Sequence, residues 1–222
     1  MSPLHISRNF DDLLGELRRD AIMMGSLTER SLDRVGKGFF ERDEDWCNTV
    51  IADDEEIDSL EVQIDHSGLA LMLRYHPMAS DLRNVVATMK LGVNLERIAD
   101  QTVNIARRSR KMISRAPVKE AAALAPIFDA SREMVRDAVK AYADDDLALA
   151  LSLKPRDKDL DILNLDYAER LTQLMATDVE NIPTYMDLIF IARFLERIGD
   201  LAKTIGEDTV FAISAEDTRH IG

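Results

Sequence analysis

Leu95-Glu96-Arg97-Ile98-Ala99-Asp100 and Leu195-Glu196-Arg197-Ile198-Gly199-Asp200 are two copies of one hexapeptide, one hundred residues apart in a chain of 222. Each lies in a stretch whose bulky residues recur at three- and four-residue steps. Around the first they are Val85, Met89, Leu91, Leu95, Ile98, Thr102 and Ile105. Around the second they are Met186, Ile189, Ile191, Leu195, Ile198, Ile205 and Val210. That period marks an amphipathic helix with one buried face. The likeness extends outward. Asp54-Glu55-Glu56-Ile57-Asp58-Ser59-Leu60 answers Asp157-Lys158-Asp159-Leu160-Asp161-Ile162-Leu163 at an offset of 103. A three-residue difference between the two offsets fits inside a loop, so the chain is expected to be an internal duplication.

Six helical segments follow from the same periodicity. They run over about 9–37, from the Asp43-Glu44-Asp45 cap to His76-Pro77, from Ser80-Asp81 to about Arg115, and over about 119–143, 147–176 and 184–213. Gly36 and Gly38 are expected stops for the first. The second ends because the residue before a proline avoids helical geometry. Asp144-Asp145-Asp146 breaks and recaps the chain, and Pro155 is expected to kink the fifth helix or split off its first two turns. The last eight residues read as a loose tail. Helices of this size are about 45 Å long, and short connections make neighbours antiparallel. The predicted fold is all-α: two antiparallel three-helix bundles in tandem, residues 1–115 and 116–222, built from six long helices. No alternating apolar–polar run suggests a sheet.

Composition agrees. Apolar residues make up 46 %, with nine Gly and six Pro, which suits few, long helices. A net charge of −13 repels a phosphate backbone, so nucleic-acid binding is not expected. The single Cys47 excludes an intramolecular disulfide. Met1 to Phe10 lack the apolar run of a signal peptide, and no segment has the uncharged length of a membrane span. The expected location is the cytoplasm.

Within each hexapeptide a Glu precedes an Asp by four positions, which stacks two carboxylates on one helix face. With Leu95 and Ile98 facing the core, Glu96 and Asp100 fall on the flank, and Asn104 extends their row. The second row is Glu196, Asp200, Thr204 and then Glu207 or Asp208. Such oxygen donors suit Mg²⁺, Ca²⁺, Mn²⁺ or iron. A solvated face with local ion pairs, such as Asp100 with Arg97, is the competing reading, and both stand at this level. The pairs Asp54/Asp58 and Asp157/Asp161 are expected to face water, with convergence on the rows as the alternative. The basic stretch from Arg107 to Arg115 suits a helix C-terminus. None of the four histidines falls in a Glu-x-x-His motif, and no catalytic constellation is present. Cys47 is expected to be buried.

The duplicated stretches resemble the PhoU family, bacterial regulators of phosphate uptake. The resemblance rests on Leu95 to Asp100 followed by Asn104-Ile105-Ala106, and on Phe190 to Asp200 followed by Thr204-Ile205-Gly206-Glu207. Pro77-Met78-Ala79-Ser80-Asp81-Leu82-Arg83 and Phe10-Asp11-Asp12-Leu13 add to it. It implies two related three-helix bundles, with metal (iron, or Mg, Mn or Zn) held by Glu96, Asp100, Asn104, Glu196 and Asp200. It implies a non-enzymatic negative regulator of phosphate-starvation signalling, homodimeric, in the cytoplasm or peripheral at the inner membrane through its partners. Those partners are the ATPase of a phosphate ABC transporter and a phosphate sensor histidine kinase. The alternatives are an accessory protein of a different phosphate transporter and a carboxylate-bridged metalloenzyme. Where the family often has His after the motif Asp, this chain has Gln101 and Leu201; Ala99 replaces a Gly, and Thr204 an Asn. The first row is therefore the more complete.

Overall fold

The computed structural model describes residues 3–216. Six long helices make up the fold, α1 (Pro3–Phe40), α2 (Glu44–Tyr75), α3 (Ser80–Ile113), α4 (Ala125–Ala143), α5 (Leu147–Met175) and α6 (Ile182–Ser214). Short 3-10 turns, Lys119–Leu124 and Val179–Asn181, precede α4 and α6. The described residues contain no strand. Helices α1, α2 and α3 pack on one another, as do α4, α5 and α6, and the two bundles meet mainly through α3 and α6, with α1 also touching α4. The expected tandem of three-helix bundles is the observed fold. The proposed tail lies mostly outside the described residues.

The helix ends follow local chemistry. Asp43 caps α2 by accepting from the Asp45 and Trp46 backbone N–H groups, and Asp146 caps α5 by accepting from Leu149 N–H. His76, at φ 49°, closes α2 in the left-handed region. The Arg42 guanidinium donates to the carbonyls of Met112, Ile113 and Arg115 at 3.0, 2.9 and 2.6 Å, so a residue from another helix end satisfies the terminus of α3.

Two expectations about helix ends are corrected, and of the two outcomes expected at Pro155 the split does not occur. Helix α1 runs through Gly36 and Gly38 to Phe40. Gly38 serves packing instead: a Cβ there would lie 2.7 Å from Cys47 Sγ and 3.2 Å from its backbone nitrogen. The α-helical part of the fourth segment starts at Ala125 rather than Lys119, because Pro126 fits only in a first turn. Pro155 does not split α5. The carbonyl it frees belongs to Leu151, whose residue is exposed, so water can take the lost hydrogen bond.

The duplication is visible in burial. On α3 the buried positions include Leu91, Leu95, Ile98, Ala99, Thr102, Ile105, Ala106 and Ser109. On α6 they include Ile191, Leu195, Ile198, Gly199, Ala202, Ile205, Gly206 and Thr209, each one hundred residues on. The seam between these helices uses equivalent positions reciprocally. Arg108 lies 3.9 Å over the Phe190 ring, while Asp208 accepts a 2.7 Å hydrogen bond from Lys90 Nζ. Residues 108 and 90 of the first repeat thus meet residues 190 and 208 of the second, once as a cation–π pair and once as an ion pair. Asp187 adds a clamp by accepting from Arg108 at 2.5 Å and Arg115 at 2.7 Å. The basic stretch of α3 therefore binds α6 as well as ending a helix.

Glycines separate two kinds of close approach. At Gly36 a Cβ would make an ordinary 3.8 Å contact with Phe128, whereas at Gly206 it would lie 2.9 Å from the Ala150 carbonyl oxygen and 2.7 Å from Leu153. Gly36→Ala is expected to stabilise the fold by about 0.5–1 kcal/mol. Gly206→Ala is expected to cost about 1–3 kcal/mol, because the obstacle includes backbone. Urea denaturation of both variants checks the opposite signs.

Candidate functional site

Because Leu95, Ile98 and Ala99 are buried, Glu96 and Asp100 are turned to the flank of α3, Glu96 half-buried and Asp100 exposed. The neighbouring face is α2, and it is acidic. Asp54 is half-buried, and the charges of Asp58 and Asp100 act on it; those of Asp100, Asp58 and Glu61 act on Glu96. Asp54 and Asp58 were expected to face water. Asp58 is exposed as expected, but Asp54 is half-buried and lies close enough to the first row to feel its charge, because Ile57 and Leu60 anchor the same turns of α2 in the core. Burial first, then Asp58 and Asp100, push the Asp54 carboxyl up to about 6. Burial and the same neighbours raise Glu96.

Nothing offsets this charge at contact distance. Arg30 and Arg34 of α1 pair with Glu56 and Asp53 on the adjoining face of α2. Among the described residues no basic group lies within ion-pair distance of Asp54, Asp58, Glu96 or Asp100, and the expected Asp100–Arg97 bridge is not formed. Asn104, half-buried, continues the row one turn on.

The second row has the same framework and different chemistry. Asp157 and Glu196 are buried, and Asp200 is half-exposed. The charges of Asp161 and Asp200 act on both Asp157 and Glu196. Here, however, Lys203 Nζ donates to Asp157 Oδ2 and, at 2.8 Å, to Asp200 Oδ1. Arg193 donates to Glu196 Oε1. Burial opposes the Lys203 charge, but its bonds to Asp157 and Asp200 outweigh that and raise its pKa. Asp157 Oδ1 and Glu196 Oε2 remain buried without a hydrogen-bond partner. The Thr204 hydroxyl donates to the Asp200 carbonyl oxygen at 2.9 Å, and Asp208, the row's expected further member, instead accepts from Lys90. Both Asp157 and Asp161 were expected in water; Asp157 is 5 % exposed.

Lys203 and Arg193 escaped the sequence reading. The signal was there: Val103 and Val93 occupy the matching positions of the first repeat. Cys47 is fully buried, and burial raises its thiol to about 11. A shallow cleft of about 280 Å³ lies over the α3–α6 seam, lined by Arg97, Gln101, Arg197, Asp200 and Leu201. Among the described residues no three His, Cys, Asp or Glu side chains already converge as a metal-holding group. The first row fits a hard cation by its donor set, which among the described residues consists of carboxylates with no basic group in contact, Arg107 and Arg97 acting on Asp54 and Glu96 only from beyond ion-pair distance. The second, with Lys203 in place, does not.

Two copies of the PhoU domain model match the chain, over residues 22–109 and 124–209. The chain belongs to the PhoU family. A Pseudomonas putida relative, a phosphate-specific transport system accessory protein PhoU homolog, is 34 % identical over 98 % of this chain and 86 % of its own length. A Xylella fastidiosa homolog of the same description is 32 % identical over 96 % and 88 %. The Escherichia coli PhoU accessory protein is 29 % identical over 98 % and 90 %. The crystal structure of PhoU from Pseudomonas aeruginosa superposes with a TM-score of 0.90 at 29 % identity, covering 93 % of this chain and 100 % of that one. That of Streptococcus pneumoniae PhoU gives 0.86 at 24 % identity, over 94 % and 99 %, which supports the fold.

The raised Asp54 carboxyl gives a pH test. Its folded pKa lies above its unfolded value, so ionisation costs stability above about pH 6 and the cost vanishes below about pH 4. In chelator-treated protein at pH 7, Asp54→Asn is expected to stabilise by about 1 kcal/mol after solvent screening, or about 2–4 °C in Tm. The gain should shrink as pH falls through 6 towards 4. Thermal melts across that range check it.

Proposed function

We propose that this chain is an accessory regulator of a phosphate transport system that restrains phosphate-starvation signalling. The observation that carries this reading is the presence of two PhoU domains in a chain that spans nearly the whole length of relatives described as phosphate-specific transport system accessory proteins. In this reading its partners are the ATPase of the phosphate ABC transporter and a sensor histidine kinase. The protein then works at the inner face of the membrane by docking, and no described helix is long and apolar enough to cross it. An acidic chain of net charge −13 suits docking on basic partner surfaces.

The same proposal gives the first acidic row a cation. Asp54, Asp58, Glu96 and Asp100 would hold it, with Asn104 beside them. The cation would supply the positive charge that offsets repulsion between α2 and α3, and it would fix the charge that this face shows a partner.

Two measurements test the reading. Affinity-tagged protein, purified from gently solubilised membranes of its native cell grown with ample phosphate, is expected to retain the transporter ATPase and the histidine kinase. Recovery of a different phosphate transporter, or of neither partner, overturns the assignment. Saturating Mn²⁺ is expected to raise the Tm of chelator-stripped wild type by roughly 5–10 °C at about a hundredfold excess over Kd. That rise should disappear in Glu96→Gln/Asp100→Asn. A wild-type Tm indifferent to Mn²⁺, Fe²⁺ and Zn²⁺ rules out the metal role.

A further inference from the structure

We propose that Lys203 is a tethered counterion that occupies the second acidic row and keeps it closed to divalent cations. The duplicated motif then yields one metal row and one lysine row. This rests on the metal reading of the first row given above, and it concerns residues of the second.

Three observations carry it. The first is geometric. The Lys203 ammonium bridges Asp157 on α5 and Asp200 on α6, the two helices that a metal in this row would also join. The second is the comparison between repeats. Asp157 answers Asp54, Asp161 answers Asp58, Glu196 answers Glu96 and Asp200 answers Asp100, so the acidic framework is kept in full. What differs is the cation. Val103, 2 % exposed in the core, stands where Lys203 stands, and Val93 stands where Arg193 pairs with Glu196. Both differences place positive charge on the second row at contact distance; Arg107, whose counterpart is Glu207, acts on Asp54 of the first row only from beyond ion-pair distance. The third is what the ammonium leaves undone. Asp157 Oδ1 and Glu196 Oε2, on residues only 5 % and 6 % exposed, have no hydrogen-bond partner. A buried carboxylate oxygen without a donor is costly. Lys203 pairs with two of the row's carboxylates without saturating them, so its removal leaves carboxylate oxygens from both helices free for a divalent ion.

A tethered ammonium competes at a high effective concentration with any ion from solution. The wild-type second row is thus closed at ordinary metal levels. A neutral side chain of similar length at 203 opens it.

The test uses the full chain, stripped with chelator and titrated with Mn²⁺ in equilibrium dialysis. Lys203→Met is expected to bind one more Mn²⁺ per chain than wild type, or to raise the affinity of the weaker site roughly tenfold or more. Lys203→Arg, which keeps the charge, is expected to match wild type. The extra Mn²⁺ should persist in a Glu96→Gln/Asp100→Asn background and vanish on adding Asp157→Asn. Far-UV circular dichroism establishes folding; Lys203→Gln provides the same readout should Lys203→Met fail to fold. Unchanged stoichiometry and affinity in the folded neutral variant overturn the proposal. So does wild-type Mn²⁺ binding that is lost on Asp157→Asn alone. Failure of the first-row reading appears separately, as wild-type binding indifferent to Glu96→Gln/Asp100→Asn, and it leaves the Lys203 comparison standing.

Discussion

Repulsion between carboxylates on adjacent helices is the constraint around which each repeat is arranged, and burial creates it. Leu95, Ile98, Thr102 and Ile105 must face the core, and that fixes the rotation of α3 about its axis. Glu96 and Asp100 are then carried to the α2 side. Ile57, Leu60 and Ile64 fix α2 in the same way and carry Asp54 and Asp58 towards them. Each buried Leu or Ile contributes about 1.5–3 kcal/mol. Several such residues per helix outweigh the repulsion of a few half-exposed carboxylates, so the hydrophobic stripe wins and the acids are forced together. The rise in the Asp54 pKa records that cost.

The two repeats resolve the seam between them symmetrically and the acidic rows asymmetrically. At the seam, equivalent positions meet reciprocally, as in a two-fold interface between identical subunits. The chemistry has drifted while the contact has stayed: Arg108 on Phe190 and Asp187 at one end, Lys90 on Asp208 at the other. Both contacts are compatible with one placement of α3 against α6, so either repeat can change provided its partner position changes with it. In the rows no such reciprocity exists, because each row lies within its own bundle. Lys203 could be acquired on α6 without any answering change on α3.

Much of this was legible in the sequence. Long apolar periodicity gave the six helices, and the repeated hexapeptide gave the duplication and the flank position of the acids. Cap residues Asp43 and Asp146 act as their type predicts. What was not legible depended on tertiary contact. Gly38 looks like a stop, since glycine at a helix end and glycine under a neighbouring side chain are the same letter and only the approach of Cys47 distinguishes them; at Gly36 the helix continues past an ordinary contact with Phe128. Pro126, inside the predicted fourth helix, was a readable signal and sets its true start. The convergence of α2 on α3 required knowing which helices are neighbours and at what rotation. Lys203 was hidden for another reason. A lysine three residues after an Asp on a helix looks like a solvent-facing pair, and its second partner, Asp157, lies 46 residues away.

The difference between the rows bears on how such a protein can respond to its surroundings. On the proposal made above, a row closed by its own lysine has a charge independent of free metal. On the metal reading proposed above, a row without a cation in contact has a charge that follows metal occupancy, and its two helices repel more when it is empty. Differential affinity is what lets a ligand shift a conformational balance. Among the described residues of the first bundle none of Asp54, Asp58, Glu96 and Asp100 has a basic group at contact distance, whereas in the second Asp157, Asp200 and Glu196 each have one. The second bundle has Lys203 tying α5 to α6 where the first, among the described residues, has no basic side chain joining α2 to α3 at the matching place.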